Sequence, residues 1–166
     1  ERVDIPKTVH AELREYQRRG VDWLYWMSRN GIGAVLADDM GLGKTLQLLC
    51  LLAVEKDRGE QTGPTLVVAP TSVVGNWARE AQRFVPNFKV MVQHGSSRPR
   101  GEDFIKGAGE CDLFITTYGT VGRDFKDMGE VSWQRVVLDE AQAIKNSATR
   151  SSKAVRSLPS EHRVAL

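Results

Sequence analysis

A short apolar run, Ala34-Val35-Leu36-Ala37, leads into Asp38-Asp39-Met40-Gly41-Leu42-Gly43-Lys44-Thr45, and a longer apolar run follows over residues 46–54. The first run has the length of a strand. The second, rich in Leu with Gln47 and Cys50 interspersed, has the length of a helix. A strand, a tight turn carrying glycines and a helix opening on Lys-Thr form a cradle for phosphate. Gly41 and Gly43 lack a Cβ, so the backbone can turn sharply and bring its N–H groups close to an anion. In such a cradle Lys44 reaches the β- and γ-phosphates of a nucleotide and the Thr45 hydroxyl ligates Mg²⁺. The helix start adds roughly half a positive charge at the same point. The strict pattern has Gly five residues before Gly43, where this chain has Asp38. The reading therefore rests on Gly-x-Gly-Lys-Thr in its strand–turn–helix setting, against the alternative that the glycines serve only the turn.

The rest of the chain alternates in the same way. Residues 1–9 read as an irregular lead-in. Over 10–27, Leu13, Tyr16, Val21, Leu24 and Met27 recur at near-helical spacing, and Gly20 marks a bend or a close contact. Residues 65–69 are a nearly continuous apolar run ended by Pro70, as expected of a strand covered on both faces. Further strands are predicted at 89–93, 112–117, 134–139 and 163–166, and helices at 73–84, 102–106 and 148–158. Strands alternating with helices give an α/β fold, a mostly parallel central sheet flanked by helices. Ligands bind such sheets at the carboxyl ends of the strands. Residues 38–45, 70–72, 116–118 and 139–142 all fall there.

A length of 166 residues suits one domain, which should bury about 70% of its unfolded surface. Hydrophobic content of 41% and charged content of 27% are those of a soluble globular protein. No apolar run reaches the roughly 18 residues that span a bilayer, and the first residues do not form a signal peptide. Cys50 and Cys111 suggest neither a disulfide framework nor a metal site, which fits buried thiols in a reducing, intracellular compartment. A net charge of +2 permits a nucleic-acid partner without arguing for one. The chain stops inside an apolar run, so it is expected to be a piece of a longer protein.

Val136-Val137-Leu138 delivers two carboxylates, Asp139 and Glu140. Asp139 suits the Mg²⁺ shell through water, because Mg²⁺ prefers oxygen ligands and keeps several waters. Glu140 suits a base or positioner for the water attacking the γ-phosphate. With the cradle in one parallel sheet, they complete a nucleotide-hydrolysing P-loop ATPase site. Its catalytic groups would be Lys44, Asp139 and Glu140, and its metal ligands Thr45 and Asp139.

With these motifs in order, the chain resembles the N-terminal RecA-like lobe of SWI/SNF-type ATPases, the DNA translocases of helicase superfamily 2. The resemblance covers residues 1–166. Residues 1–30 carry what looks like the family's glutamine motif, Leu13-Arg14-Glu15-Tyr16-Gln17 onward to Trp23-Leu24. It also accounts for Asp38, because this family writes its cradle as Asp-acidic-Met-Gly-Leu-Gly-Lys-Thr. The resemblance implies a three-layer RecA-like P-loop NTPase domain that binds ATP and Mg²⁺. Gln17 would read the adenine edge, and Asp39, Met40, Gly41, Leu42, Gly43, Lys44 and Thr45 would line the nucleotide. Pro70-Thr71-Ser72 with Asn76 looks like motif Ia, and Thr116-Thr117-Tyr118 like the next strand-end motif. Both imply contacts to one strand of double-stranded DNA, although each hydroxyl taken singly could equally be a helix cap.

Two departures from the family pattern stand out. Gln142 occupies the place where the family usually has His after Asp-Glu-Ala. The chain also ends before the family's Thr-Gly-Thr-Pro motif and the second RecA-like lobe with its arginine fingers. The implied function is an ATP-dependent double-stranded DNA translocase, of which this chain is the ATP-binding first lobe and near-inactive alone. Alternatives are a nucleotide- or DNA-binding module without catalysis, and an RNA helicase of the DEAD-box type. Trp23, Trp26, Trp77 and Trp133 are expected in the core. Arg98 and Arg100 are expected at DNA or in solvent, and Arg150, Lys153 and Arg156 on one helical face toward DNA. His10 and His162 are given no role.

Overall fold

The structure is a computed structural model that describes residues 2–36, 43–93, 95, 98–140 and 150–166. Six strands form one sheet: β1 (Ala34–Val35), β2 (Thr65–Ala69), β3 (Val90–Gln93), β4 (Leu113–Thr117), β5 (Arg135–Leu138) and β6 (His162–Ala165). Their order across the sheet is β1-β6-β5-β2-β4-β3, and every pairing is parallel. The helices are α1 (Glu15–Arg29), α2 (Lys44–Asp57), α3 (Thr71–Phe84), α4 (Gly101–Glu110), α5 (Tyr118–Arg123), α6 (Phe125–Gly129) and α7 (Arg150–Ser157).

Side chains of the central strands alternate between two cores, as the period of two requires. Val67, Ala69, Ile115, Val137 and Val164 join the core shared with Val21 and Leu24 of α1, α2, and Val74 and Trp77 of α3. Leu66, Val68, Phe114 and Val136 face the opposite core, which contains Phe104, Val121, Met128, Trp133 and Val155. Helices therefore cover both faces, the expected three-layer arrangement. Residues 46–55 of α2 are buried without a break, because that helix is packed against the sheet and also against α1 and α3.

Several local expectations are corrected. The first helix starts at Glu15 rather than near residue 10, where the Gln17 side chain accepts from Arg14 N–H at 2.8 Å. It continues through Gly20, whose role is the close contact: a Cβ there would lie 1.8 Å from Gln47 Oε1. The short helix predicted at 102–106 extends to Glu110, with Phe104 and Ala108 facing the core. The segments α5 and α6 were not foreseen at all. Trp77 and Trp133 are core residues, but Trp23 and Trp26 are 41% and 56% exposed. Both lie beside the buried stripe of Gln17, Val21 and Leu24 on α1 rather than in it. Arg98 is not a solvated surface residue, since its side chain is buried in an ion pair with Asp124.

His162 also proves to be partnered. At the amino end of the sheet, Arg135 is fully buried and all five of its N–H donors are directed at acceptors. Nη1 and Nη2 each meet a Glu55 carboxylate oxygen at 2.8 Å, and Nε meets His162 Nδ1 at 2.8 Å. Ser28 Oγ at 2.9 Å and Thr65 Oγ1 at 3.5 Å take the other two. With Nδ1 accepting, His162 Nε2 carries the ring proton and donates to the Ile32 carbonyl at 2.9 Å. Burial, and then the Arg135 charge, hold the His162 pKa below its ordinary value.

Candidate nucleotide site

The cradle helix α2 begins at Lys44, and Gly43 before it sits at φ 88 with no side-chain cap on the helix. That conformation suits Gly, and a Cβ there would come 2.3 Å from Gln17 Nε2. Among the described residues no side chain caps the first N–H groups of α2, the usual condition for anion binding. Lys44 and Thr45 are half-buried at this point. Asp38, Asp39, Met40, Gly41 and Leu42 lie outside the described residues, as do His94 and 141–149 with Gln142.

Gln17 is brought to the cradle, yet its oxygen is already engaged in capping α1. Its amide nitrogen lies beside Gly43.

β5 carries Asp139 to the same end of the sheet, with β6 lying between it and β1. Asp139 is fixed from three sides. Its N–H donates to the Val68 carbonyl at 2.9 Å, and its own carbonyl accepts from Tyr118 Oη at 2.8 Å. Its Oδ2 accepts from the Trp77 indole at 2.6 Å. Glu140 is exposed in the following turn at φ 51, the one non-glycine with positive φ among the described residues. Such a backbone costs about 1–3 kcal/mol and persists where the surroundings impose it.

Glu80 of α3 completes the group. It lies close enough to Thr45 for the hydroxyl to act on its carboxyl pKa, and its Oε2 is buried without a partner. Burial pushes its carboxyl pKa up; the Thr45 hydroxyl and nearby arginines oppose this, while Asp139 adds to it. Burial and the Asp139 and Glu140 charges likewise raise the Tyr118 phenol. Neither Glu80 nor the indole bond of Trp77 was picked out from sequence. The available signal was Trp-x-x-Glu in the helix following a strand end, which sets both side chains on one face.

The expected DNA-facing residues divide into two sets. Thr71, Ser72 and Asn76 are exposed in the first turns of α3, after half-buried Pro70. Thr116, by contrast, is fully buried and donates to the Gln93 carbonyl at 2.7 Å. Thr117 caps α5 by accepting from Thr120 N–H at 3.1 Å, and the Tyr118 hydroxyl is committed to Asp139. Lys153 is exposed on α7.

Among the described residues, the metal-ligating side chains at this end are the oxygen donors Thr45, Asp139 and Glu80, one with a buried, unpartnered oxygen. This set fits Mg²⁺ bound through a few protein oxygens, water and nucleotide phosphates. No group of three or more His, Cys, Asp or Glu side chains placed to hold a metal occurs among the described residues.

A parallel sheet with a Gly-Lys-Thr helix start and a strand-end acidic pair defines a P-loop NTPase domain. Residues 16–166 match the SNF2-related domain, and the chain belongs to that family. It is 45% identical to YwqA of Bacillus subtilis over 98% of its own length, and 40% identical to helicase SWR1 of Saccharomyces cerevisiae over 99%. The Sulfolobus solfataricus SWI2/SNF2 ATPase core in complex with dsDNA superposes with a TM-score of 0.85 at 40% identity over 99% of the chain. The chain spans 18% of YwqA, 11% of SWR1 and 34% of the Sulfolobus chain. This membership sets aside the DEAD-box alternative. Among the described residues, no helix is long and apolar enough to cross a membrane.

Proposed function

We propose that this chain is the ATP-binding first lobe of an ATP-dependent translocase on double-stranded DNA. The observation that carries the reading is the convergence of the uncapped α2 start, Lys44, Thr45 and the triply anchored Asp139 at one end of a parallel sheet. The 40%-identical Sulfolobus core bound to dsDNA supports the choice of polymer.

In this reading the α2 N–H groups and Lys44 bind the phosphates, and Gln17 lies at the adenine side. Thr45 and Asp139 would hold Mg²⁺, which would supply charge neutralisation at the nucleotide phosphates. Glu140 orients the attacking water. The exposed turn bearing Thr71, Ser72 and Asn76 meets the DNA backbone.

A second lobe would supply the arginine finger, worth about 10³–10⁵ in rate, so residues 1–166 alone should hydrolyse ATP very slowly. The deciding measurement is DNA-stimulated ATP turnover of the complete protein with and without Glu140→Gln. Turnover should collapse in the variant while nucleotide binding persists. Equal turnover would remove Glu140 from the reaction, leaving a binding module.

A further inference from the structure

Two side chains reach the nucleotide end of the sheet that the cradle and the strand-end acids do not account for, and both come from α3. Trp77 and Glu80 stand three residues apart and so share a face of that helix. Trp77, 1% exposed, donates to Asp139 Oδ2 at 2.6 Å; Glu80, which lies beside the Thr45 hydroxyl, has a buried, unpartnered Oε2. Thr45 and Asp139 are the two residues assigned above to Mg²⁺. One face of a single helix thus touches both.

A threonine hydroxyl has one proton and two lone pairs. To serve a cation it must aim a lone pair at the metal, so its proton has to go elsewhere. Glu80 is the acceptor at hand. An indole N–H only donates. By occupying Asp139 Oδ2 it fixes the carboxylate plane and leaves Oδ1 for the metal side. A carboxylate kept only for packing would have both oxygens paired, because unpartnered buried acceptors are selected against. The unpartnered Oε2 leaves Glu80 an acceptor for a water of a Mg²⁺ shell.

We propose that Glu80 and Trp77 are positioning residues that set the orientation of Thr45 and Asp139 for nucleotide-bound Mg²⁺. The proposal rests on the nucleotide-site reading above. Partners standing behind metal ligands typically contribute about 10–100-fold in metal affinity.

The test is binding of a fluorescent ATP analogue to the complete protein, titrated with Mg²⁺ and repeated in EDTA. Wild type is compared with Glu80→Ala, Glu80→Gln and Trp77→Phe, each first checked for a cooperative melt. In EDTA, all should bind within about twofold of one another, since phosphate and base contacts are untouched. The Mg²⁺ midpoint should rise about 10-fold or more in Glu80→Ala and Trp77→Phe. It should rise less in Glu80→Gln, which keeps an acceptor for Thr45. An unchanged midpoint in folded Glu80→Ala overturns the proposal. So does an equal loss of binding with and without Mg²⁺, which would make the role one of packing. If Trp77→Phe fails to fold, Glu80→Ala decides alone. Wild type that binds no nucleotide in either condition sinks the nucleotide-site reading instead, so the two failures are distinct.

Discussion

At the amino end of the sheet, Arg135 and Glu55 lie at 0% and 2% side-chain exposure, with every guanidinium donor directed at a partner. At the carboxyl end Glu80 is half-buried, with one oxygen withdrawn from water and nothing to accept, and the start of α2 has no side-chain cap. The same strands and the same two cores connect these ends. The difference is in what each is for. A charge cluster that is complete in the protein alone stabilises and fixes packing, whereas one left incomplete is matched to something that arrives from outside.

The sharpest way to break this contrast is Arg135→Met. It strands a buried Glu55 carboxylate, and the expected loss is about 3–5 kcal/mol in urea unfolding, equivalent to a melting-temperature drop on the order of 10 °C. A loss below about 1 kcal/mol would mean that the closed network contributes little. Next in size is the recovery when Glu55→Leu is added to Arg135→Met. Removing both charges should return stability to within about 1–2 kcal/mol of wild type, and the coupling is read from a double-mutant cycle.

The opposite end should behave differently. Without nucleotide, Glu80→Gln should leave stability unchanged or raise it by about 1 kcal/mol, because a neutral amide replaces an under-partnered buried carboxylate. A drop of several kcal/mol would show Glu80 to be structural, like Glu55.

The smallest effect is a slope. Because the folded state holds the His162 pKa below its ordinary value, the unfolded chain takes up that proton first as pH falls. Its stabilising contribution is complete above about pH 6.5 and is lost as pH drops through the lowered folded value. His162→Gln, which can still accept from Arg135 and donate to Ile32, should flatten the urea midpoint against pH below about 6.5. An unaltered slope would assign the acid sensitivity to other groups.

What could be read from sequence depended on whether partners were near in the chain. The strands β2 and β5 announce themselves as apolar runs, and Lys44, Thr45 and Asp139 follow directly from where strands end. The segments α5 and α6, six and five residues long, are too short to display a period, and Gly119, Gly122 and Gly129 weaken what signal there is. Nothing in the strand around Arg135 marks it out, because its partners are 27 and 80 positions away. His162 was overlooked for the same reason. Trp77 and Glu80 required knowing which way α3 is turned, which its own residues do not specify until the sheet beneath them is in place. The hydroxyls of Thr116 and Thr117 illustrate the converse: a strand-end position says where a side chain is, but not whether the protein has already used it.

The strand order has a consequence for how the molecule comes together. β6 is last along the chain, yet it lies between β1 and β5, and Ala34 pairs with Val164 across nearly the whole sequence. Closing so long a segment is only modestly costlier than closing a short one, about 0.6 kcal/mol per doubling, but the contact is slow to find. Among the described strands, the one that leads into the cradle pairs only with β6, so during synthesis that pairing waits until residues 162–165 have been made. Assembly of the cradle with Asp139 is therefore a late event, and a chain interrupted before β6 carries both halves of the site without the strand that sets their spacing.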